Sequence, residues 1–119
     1  MDWYYDRNGF PKLFIYNNRL ISKNGENLCW IVNSYLYSLK TGKHIGWIEN
    51  DIIYDINNKI LAFSYNASNL PYRPGLHGVP GLPGIPGVPG MPELSGVYGR
   101  PGFGGFSSEE VLEYFYNRK

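Results

Sequence analysis

The sequence predicts a mainly β protein. It is an antiparallel meander of about eight short strands, made from four hairpin repeats. A Gly-X-Pro tract in polyproline II form and a short C-terminal helix follow. Three observations carry this: residues 1–67 repeat with a period of 16 or 17, residues 75–92 fall in Gly-X-Y triplets, and residues 107–119 open with a helix-start signature. The chain thus divides into a β-meander (1–67), a Pro/Gly-rich tract and loop (68–105) and a helix (106–119).

Each repeat opens on an apolar or aromatic pair: Tyr4-Tyr5, Leu20-Ile21, Leu36-Tyr37 and Ile53-Tyr54. A polar turn follows and ends at Gly9, Gly25, Gly42 or Asn58. Gly and Asn tolerate the positive φ of a tight hairpin. Five residues later stands an aromatic: Phe14, Trp30, Trp47 and Phe63. Eight residues later stands an asparagine: Asn17, Asn33, Asn50 and Asn66, where the chain must reverse before the next copy. Alternation puts the aromatics on one strand face with Lys12, Leu28, Ile45 and Leu61. The other face carries Leu13, Ile15, Cys29, Ile31, Gly46, Ile48, Ala62 and Ser64. Both faces are largely apolar, so the sheet needs to fold over or meet a second layer.

The tract from Gly75 to Pro92 has Pro at every third position save His77. Proline fixes φ near the polyproline II value, and such a stretch spans roughly 55 Å. The X residues, among them Leu82, Ile85 and Val88, are all apolar, unlike those of a solvated linker. The favoured expectation is a strap whose X side chains lie on the sheet or on a neighbouring subunit. A disordered linker and a collagen-like triple helix are the alternatives. Next comes the Gly-rich, aromatic loop GVYGRPGFGGF, and then SSEEVLEYFYNRK. Ser107 to Glu110 fits a capping box, and Val111, Leu112 and Phe115 share a helix face that must dock to persist. Arg118 and Lys119 suit the negative C-terminal end of such a helix.

Composition narrows the function classes. The net charge is +1, with no basic excess to hold a nucleic acid. The single cysteine, Cys29, allows no internal disulfide. No secretory leader and no membrane-length apolar run occur, which points to the cytoplasm and to no membrane partner.

The segments YDRNG, SKNG and TGKHIGWIENDIIYDINNK, above all Lys43-His44-Ile45-Gly46-Trp47 with Ile53-Tyr54-Asp55, resemble the small bacterial four-fold beta-flower proteins. So does the closing FSSEEVLEYF. The likeness covers nearly the whole chain. It implies a β-rich homotetramer with fourfold symmetry and an unassigned function, and it carries over no active-site residues. The regular Gly-X-Pro tract departs from the looser tracts of that family.

Chemistry-bearing patterns are sparse. His44 sits beside a turn, as surface histidines do. His77 interrupts the tract, and symmetry-related copies would make it a weak metal candidate. Cys29 lies among apolar residues and is expected to be buried and inert. Asp6 with Asn8, and Asp55 with Asn57, begin like a calcium loop but lack its other ligands, so Asx turns account for them. No catalytic set and no cofactor signature is present. The expected function is a non-enzymatic homo-oligomeric scaffold or interaction module, its partner itself. Its oligomer or ligand face is expected to include Phe14, Trp30, Trp47, Phe63, Leu82, Ile85 and Val88. The alternative is a lectin-like or small-ligand module with a protein or glycan partner, which would expose some of Trp3, Trp30 and Trp47.

Overall fold

The computed structural model describes residues 2–119. Its strands are β1 Trp3–Tyr5, β2 Pro11–Tyr16, β3 Arg19–Ser22, β4 Asn27–Val32, β5 Tyr35–Tyr37, β6 His44–Glu49, β7 Ile52–Asp55 and β8 Ile60–Ser64. One helix follows, α1 Val111–Tyr116. Each strand pairs antiparallel with the next. β8 returns to β1 through Tyr4↔Ser64 and Tyr5↔Phe63, so the meander closes into a barrel. Closure leaves no unpaired strand edge. It is also how a short two-faced sheet covers one face with itself. The fourfold arrangement is made by four hairpins of one chain.

The turns form as their residues dictate. Gly9, Gly25, Gly42 and Asn58 have φ of +84°, +82°, +69° and +61°. Asp6 accepts from the backbone N–H of Asn8 (2.9 Å) and Phe10 (3.0 Å), and Asp55 from Asn57 and Lys59 (both 2.9 Å). Ser22 does the same for Asn24 and Glu26. These are the Asx and Ser turns that shape each hairpin. At the other end, Asn17-Asn18, Asn33-Ser34 and Asn50-Asp51 all have positive φ, the backbone of type I′ turns.

One expectation about faces fails. The ladder slips by one residue at the same place in every repeat: Tyr4↔Leu13 is followed by Tyr5↔Pro11, Leu20↔Cys29 by Ile21↔Asn27, Leu36↔Gly46 by Tyr37↔His44, and Ile53↔Ala62 by Tyr54↔Ile60. The residues passed over are Lys12, Leu28, Ile45 and Leu61. A bulge breaks the period of two. Leu28, Ile45 and Leu61 therefore leave the aromatic face and join Leu13, Leu20, Cys29, Leu36, Ile53 and Ala62 in the interior cluster. Phe14 and Phe63 pack in a second cluster with Trp3, Tyr5, Ile21, Ile52 and Ile60.

The interior cluster also takes Val111, Leu112, Tyr114 and Phe115 of α1. The helix closes the mouth of the barrel on the Gly-turn side. Tyr114 Oη accepts from Ile56 N–H at 2.9 Å and donates to the Ile45 carbonyl at 2.6 Å. Lys12, the one polar bulge residue, lies 3.7 Å from Glu110 and 3.8 Å from Asp6. The capping box at Ser107 does not form. Phe106 bridges in parallel to Ile60, and Ser107 N–H donates to the Ile60 carbonyl at 2.8 Å, which holds the chain extended. Glu110 caps instead, accepting from Leu112 N–H and Glu113 N–H at 3.1 Å each.

Residues 75–105 contain no strand or helix and run as a belt round the barrel. The belt meets the four turns that end at Gly9, Gly25, Gly42 and Asn58 in order. Gly75 lies against Gly9, Gly84 against Gly25, Glu93 against Gly42, and Pro101 accepts from Asn58 Nδ2 at 2.9 Å. Those contacts fall nine, nine and eight residues apart. The whole molecule is a disc of 39 × 36 × 22 Å.

Candidate interaction surface

Of the two placements expected for the X side chains, the one on the chain's own sheet does not occur beyond Leu76. Pro83, Pro86, Pro89 and Pro92 are half-buried, while Pro80 and the intervening Gly and X residues are exposed. Val79, Leu82, Ile85, Val88 and Met91 are 40–71 % exposed, with Val88 the most open. Only the first X residue, Leu76, packs on the outer cluster. The pyrrolidine ring is a rigid apolar slab with no N–H to satisfy, so it suits the inward position. The X side chains are thereby turned away from the barrel.

Polar groups of the barrel hold this arrangement. His77 N–H donates to the Gly9 carbonyl, and the His77 ring stacks on Phe10 with centroids 3.9 Å apart. Asn27 Nδ2 donates to the Gly87 carbonyl at 2.9 Å. Ser95 N–H donates to the Gly42 carbonyl, and Ile60 N–H to the Gly105 carbonyl. Arg100 lies over the rings of Trp47 and Tyr54 at 5.4 and 4.6 Å and pairs with Glu49.

His44 is the main departure among the polar residues. It is buried, not at the surface. Its Nε2–H donates to the Gly46 carbonyl at 2.8 Å, and its Nδ1 accepts from Tyr98 N–H at 2.9 Å. A carbonyl can only accept and an N–H only donate, so the ring is the neutral Nε2–H tautomer. Burial pushes its pKa below the usual 6.5, and the bond to Gly46 opposes this. Both ring nitrogens are engaged, so His44 is an anchor for the belt with no free atom for acid–base work.

The aromatic column does not reach the surface. Phe14 and Phe63 are fully buried, and Trp30 and Trp47 are 6 % and 5 % exposed. Trp3 is also buried. Of the seven residues expected on one face, the structure groups Leu82, Ile85 and Val88 outside and the four rings within. Cys29 is buried, which pushes its thiol pKa up. No three His, Cys, Asp or Glu residues cluster as a metal site among the described residues.

Sequence reasoning passed over Arg19. It is 1 % exposed and forms no ion pair among the described residues. Its guanidinium donates to Asn27 Oδ1 at 2.6 Å and at longer range to the carbonyls of Pro86 and Gly87, while Nε is buried without a partner. The signal was available. Arg19 pairs across strands with Trp30, where the other repeats pair Trp3 with Phe14, Tyr35 with Trp47 and Ile52 with Phe63.

A family model described as 4-fold beta flower protein matches residues 2–115. No curated protein and no solved structure matches the chain significantly.

Proposed function

The chain belongs to the 4-fold beta flower family, and from that premise we propose that it is a non-enzymatic cytoplasmic scaffold that assembles with copies of itself through the belt. The observation that carries this is the row of glycines. An added Cβ at Gly78, Gly81, Gly84, Gly87 or Gly90 would meet nothing within 4 Å. None of these glycines has positive φ. Glycine carries an entropic penalty wherever the backbone does not need it. Here neither backbone geometry nor the barrel needs it. A surface that does need it is one where another backbone approaches closely.

The three-residue rhythm of exposure supports a polyproline II conformation. Nine residues at about 3.1 Å each span about 28 Å, and a quarter of the rim of a disc 36–39 Å across is about 28–31 Å. The outer side of that ring presents Leu82, Ile85 and Val88 beside open glycines. Two such ridges, X into Gly, are complementary between copies. Because the four hairpins already supply fourfold symmetry within one chain, the homotetramer expected from family resemblance is an assembly of discs rather than of petals.

Light scattering after size exclusion tests this. A multimer, four chains being the expected number, that falls to single chains in Val88→Asp supports the proposal. A single chain at all concentrations overturns it. The lectin-like alternative needs open rings, and its column of aromatics is buried.

A further inference from the structure

A cleft of about 440 Å³ opens at the mouth of the barrel closed by α1, between the turn before β6 and the C-terminal residues. That volume lies within the range of small-molecule sites, about 300–1,000 Å³. Its floor is apolar, from Ile45 and Ile56. One wall is aromatic: Tyr98 stacks near His44, with centroids 5.8 Å apart and planes 22° from parallel. The His44 ring and the Tyr98 backbone behind that wall are held in place, since Tyr98 N–H donates to His44 Nδ1 and His44 Nε2–H to the Gly46 carbonyl. A preformed wall lowers the ordering cost of binding.

The rim is cationic. Lys43, Arg118 and Lys119 line the cleft, and no carboxylate side chain does. Arg118 is fixed by the Tyr114 carbonyl at 3.2 Å and by the Tyr114 ring at 3.7 Å, with Glu109 beside it at 3.4 Å. Lys43 and Lys119 have no ion-pair partner among the described residues. Favourable charge at the end of α1 accounts for Arg118 and Lys119. It does not account for Lys43, which comes from a separate hairpin and brings a third positive charge to the same space. Glu109 balances Arg118, but the Lys43 and Lys119 ammonium groups at this rim have no counter-charge among the described residues, and an anion there relieves their repulsion.

We infer that this cleft binds a small aromatic anion, its ring on the Ile45–Ile56 floor beside Tyr98 and its anionic group at the unpaired Lys43 and Lys119. The site is separate from the belt ridge and does not depend on assembly.

The test is a ¹⁵N–¹H chemical-shift titration of the full chain with phenyl phosphate, with benzyl alcohol and inorganic phosphate as controls. The expected result is saturable shifts at Lys43, His44, Tyr98 and Asn117, with each control about tenfold weaker or more. Lys43→Glu, at an exposed position, should weaken phenyl phosphate by a similar factor. Ile56→Trp, which fills the floor, should abolish the shifts. Unsaturated shifts spread along the belt, or an unchanged affinity in Lys43→Glu, would overturn the inference. So would inorganic phosphate binding as tightly as phenyl phosphate, because the floor would then contribute nothing. Repeating the titration on Val88→Asp separates the two proposals: binding there persists whether or not the belt assembles copies.

Discussion

The barrel and the belt are built from opposite physical resources. Every barrel strand has two hydrogen-bonded neighbours, and its side chains fill two apolar clusters. The belt has no ladder of its own. It is held at intervals, by Gly9, Asn27, Gly42, His44, Asn58 and Ile60, and its prolines limit the freedom it loses on docking. The barrel buries its apolar side chains, while the belt displays most of its own. The difference teaches that period three does for the belt what period two does for a strand: it sorts one chain into an inward face and outward faces.

Substitutions can break or sharpen that contrast. The largest effect is expected in the barrel. Phe14→Ala removes a fully buried ring and should lower stability by about 3–5 kcal/mol in chemical denaturation. Val88→Ala on the belt should change it by about 0.5 kcal/mol or less. Equal losses would mean that the belt side chain is buried in the isolated chain after all.

Next come the points where barrel and belt touch. Gly42 has φ +69°, and a Cβ there would lie 2.0 Å from the Glu93 carbonyl oxygen. Gly42→Ala should cost at least about 1–2 kcal/mol from the backbone alone. It should also lift the belt, seen as faster amide exchange at Ser95, whose N–H donates to the Gly42 carbonyl. Unchanged exchange there would separate turn strain from belt contact.

The His44 anchor gives the contrast a pH dependence. Its folded pKa is depressed below the usual 6.5. The unfolded chain therefore takes up a proton before the folded chain does. The stabilisation is fully present above pH 6.5 and is lost as pH falls from there through the folded pKa. A denaturation series should show that slope in the native chain and its absence in His44→Gln. A native chain flat across the window would mean the imidazole is not desolvated.

A small effect of the opposite sign is expected on the belt. Gly87→Ala meets no atom within 4 Å and needs no positive φ, so it should stabilise the isolated chain by about 0.4–1 kcal/mol. The same substitution should weaken self-assembly in light scattering. Destabilisation without loss of assembly would show that the glycine row serves its own barrel.

The repeat was legible because each turn needs a residue of a particular kind. Gly9, Gly25, Gly42 and Asn58 mark one set of turns, and Asn17, Asn33 and Asn50 the other. The interior was legible in part. Leu13, Cys29 and Ala62 lie where alternation puts them, but Leu28, Ile45 and Leu61 do not. A bulge costs one residue and has no obligatory residue type, so it leaves no mark on composition. The residues expected together on one face divide in the structure: Leu82, Ile85 and Val88 are exposed on the belt, while Phe14, Trp30, Trp47 and Phe63 are core. His44 looked like a surface residue because its two acceptor and donor partners, Gly46 and Tyr98, lie 2 and 54 residues away.

What the sequence by itself determined is local: hairpin turns, strand spacing, the rigid period of the Gly-X-Pro tract and the apolar face of the last helix. Each follows from the φ a residue tolerates or from the spacing of its apolar neighbours. Tertiary structure alone decided the closure of β8 onto β1, the inward turn of Pro83, Pro86, Pro89 and Pro92, the burial of Arg19 and His44, and the placing of Lys43 at one cleft with the C-terminal residues. Those outcomes depend on contacts between residues far apart in the chain. No residue's own preference encodes them, and only the packed barrel selects among the arrangements that local geometry allows.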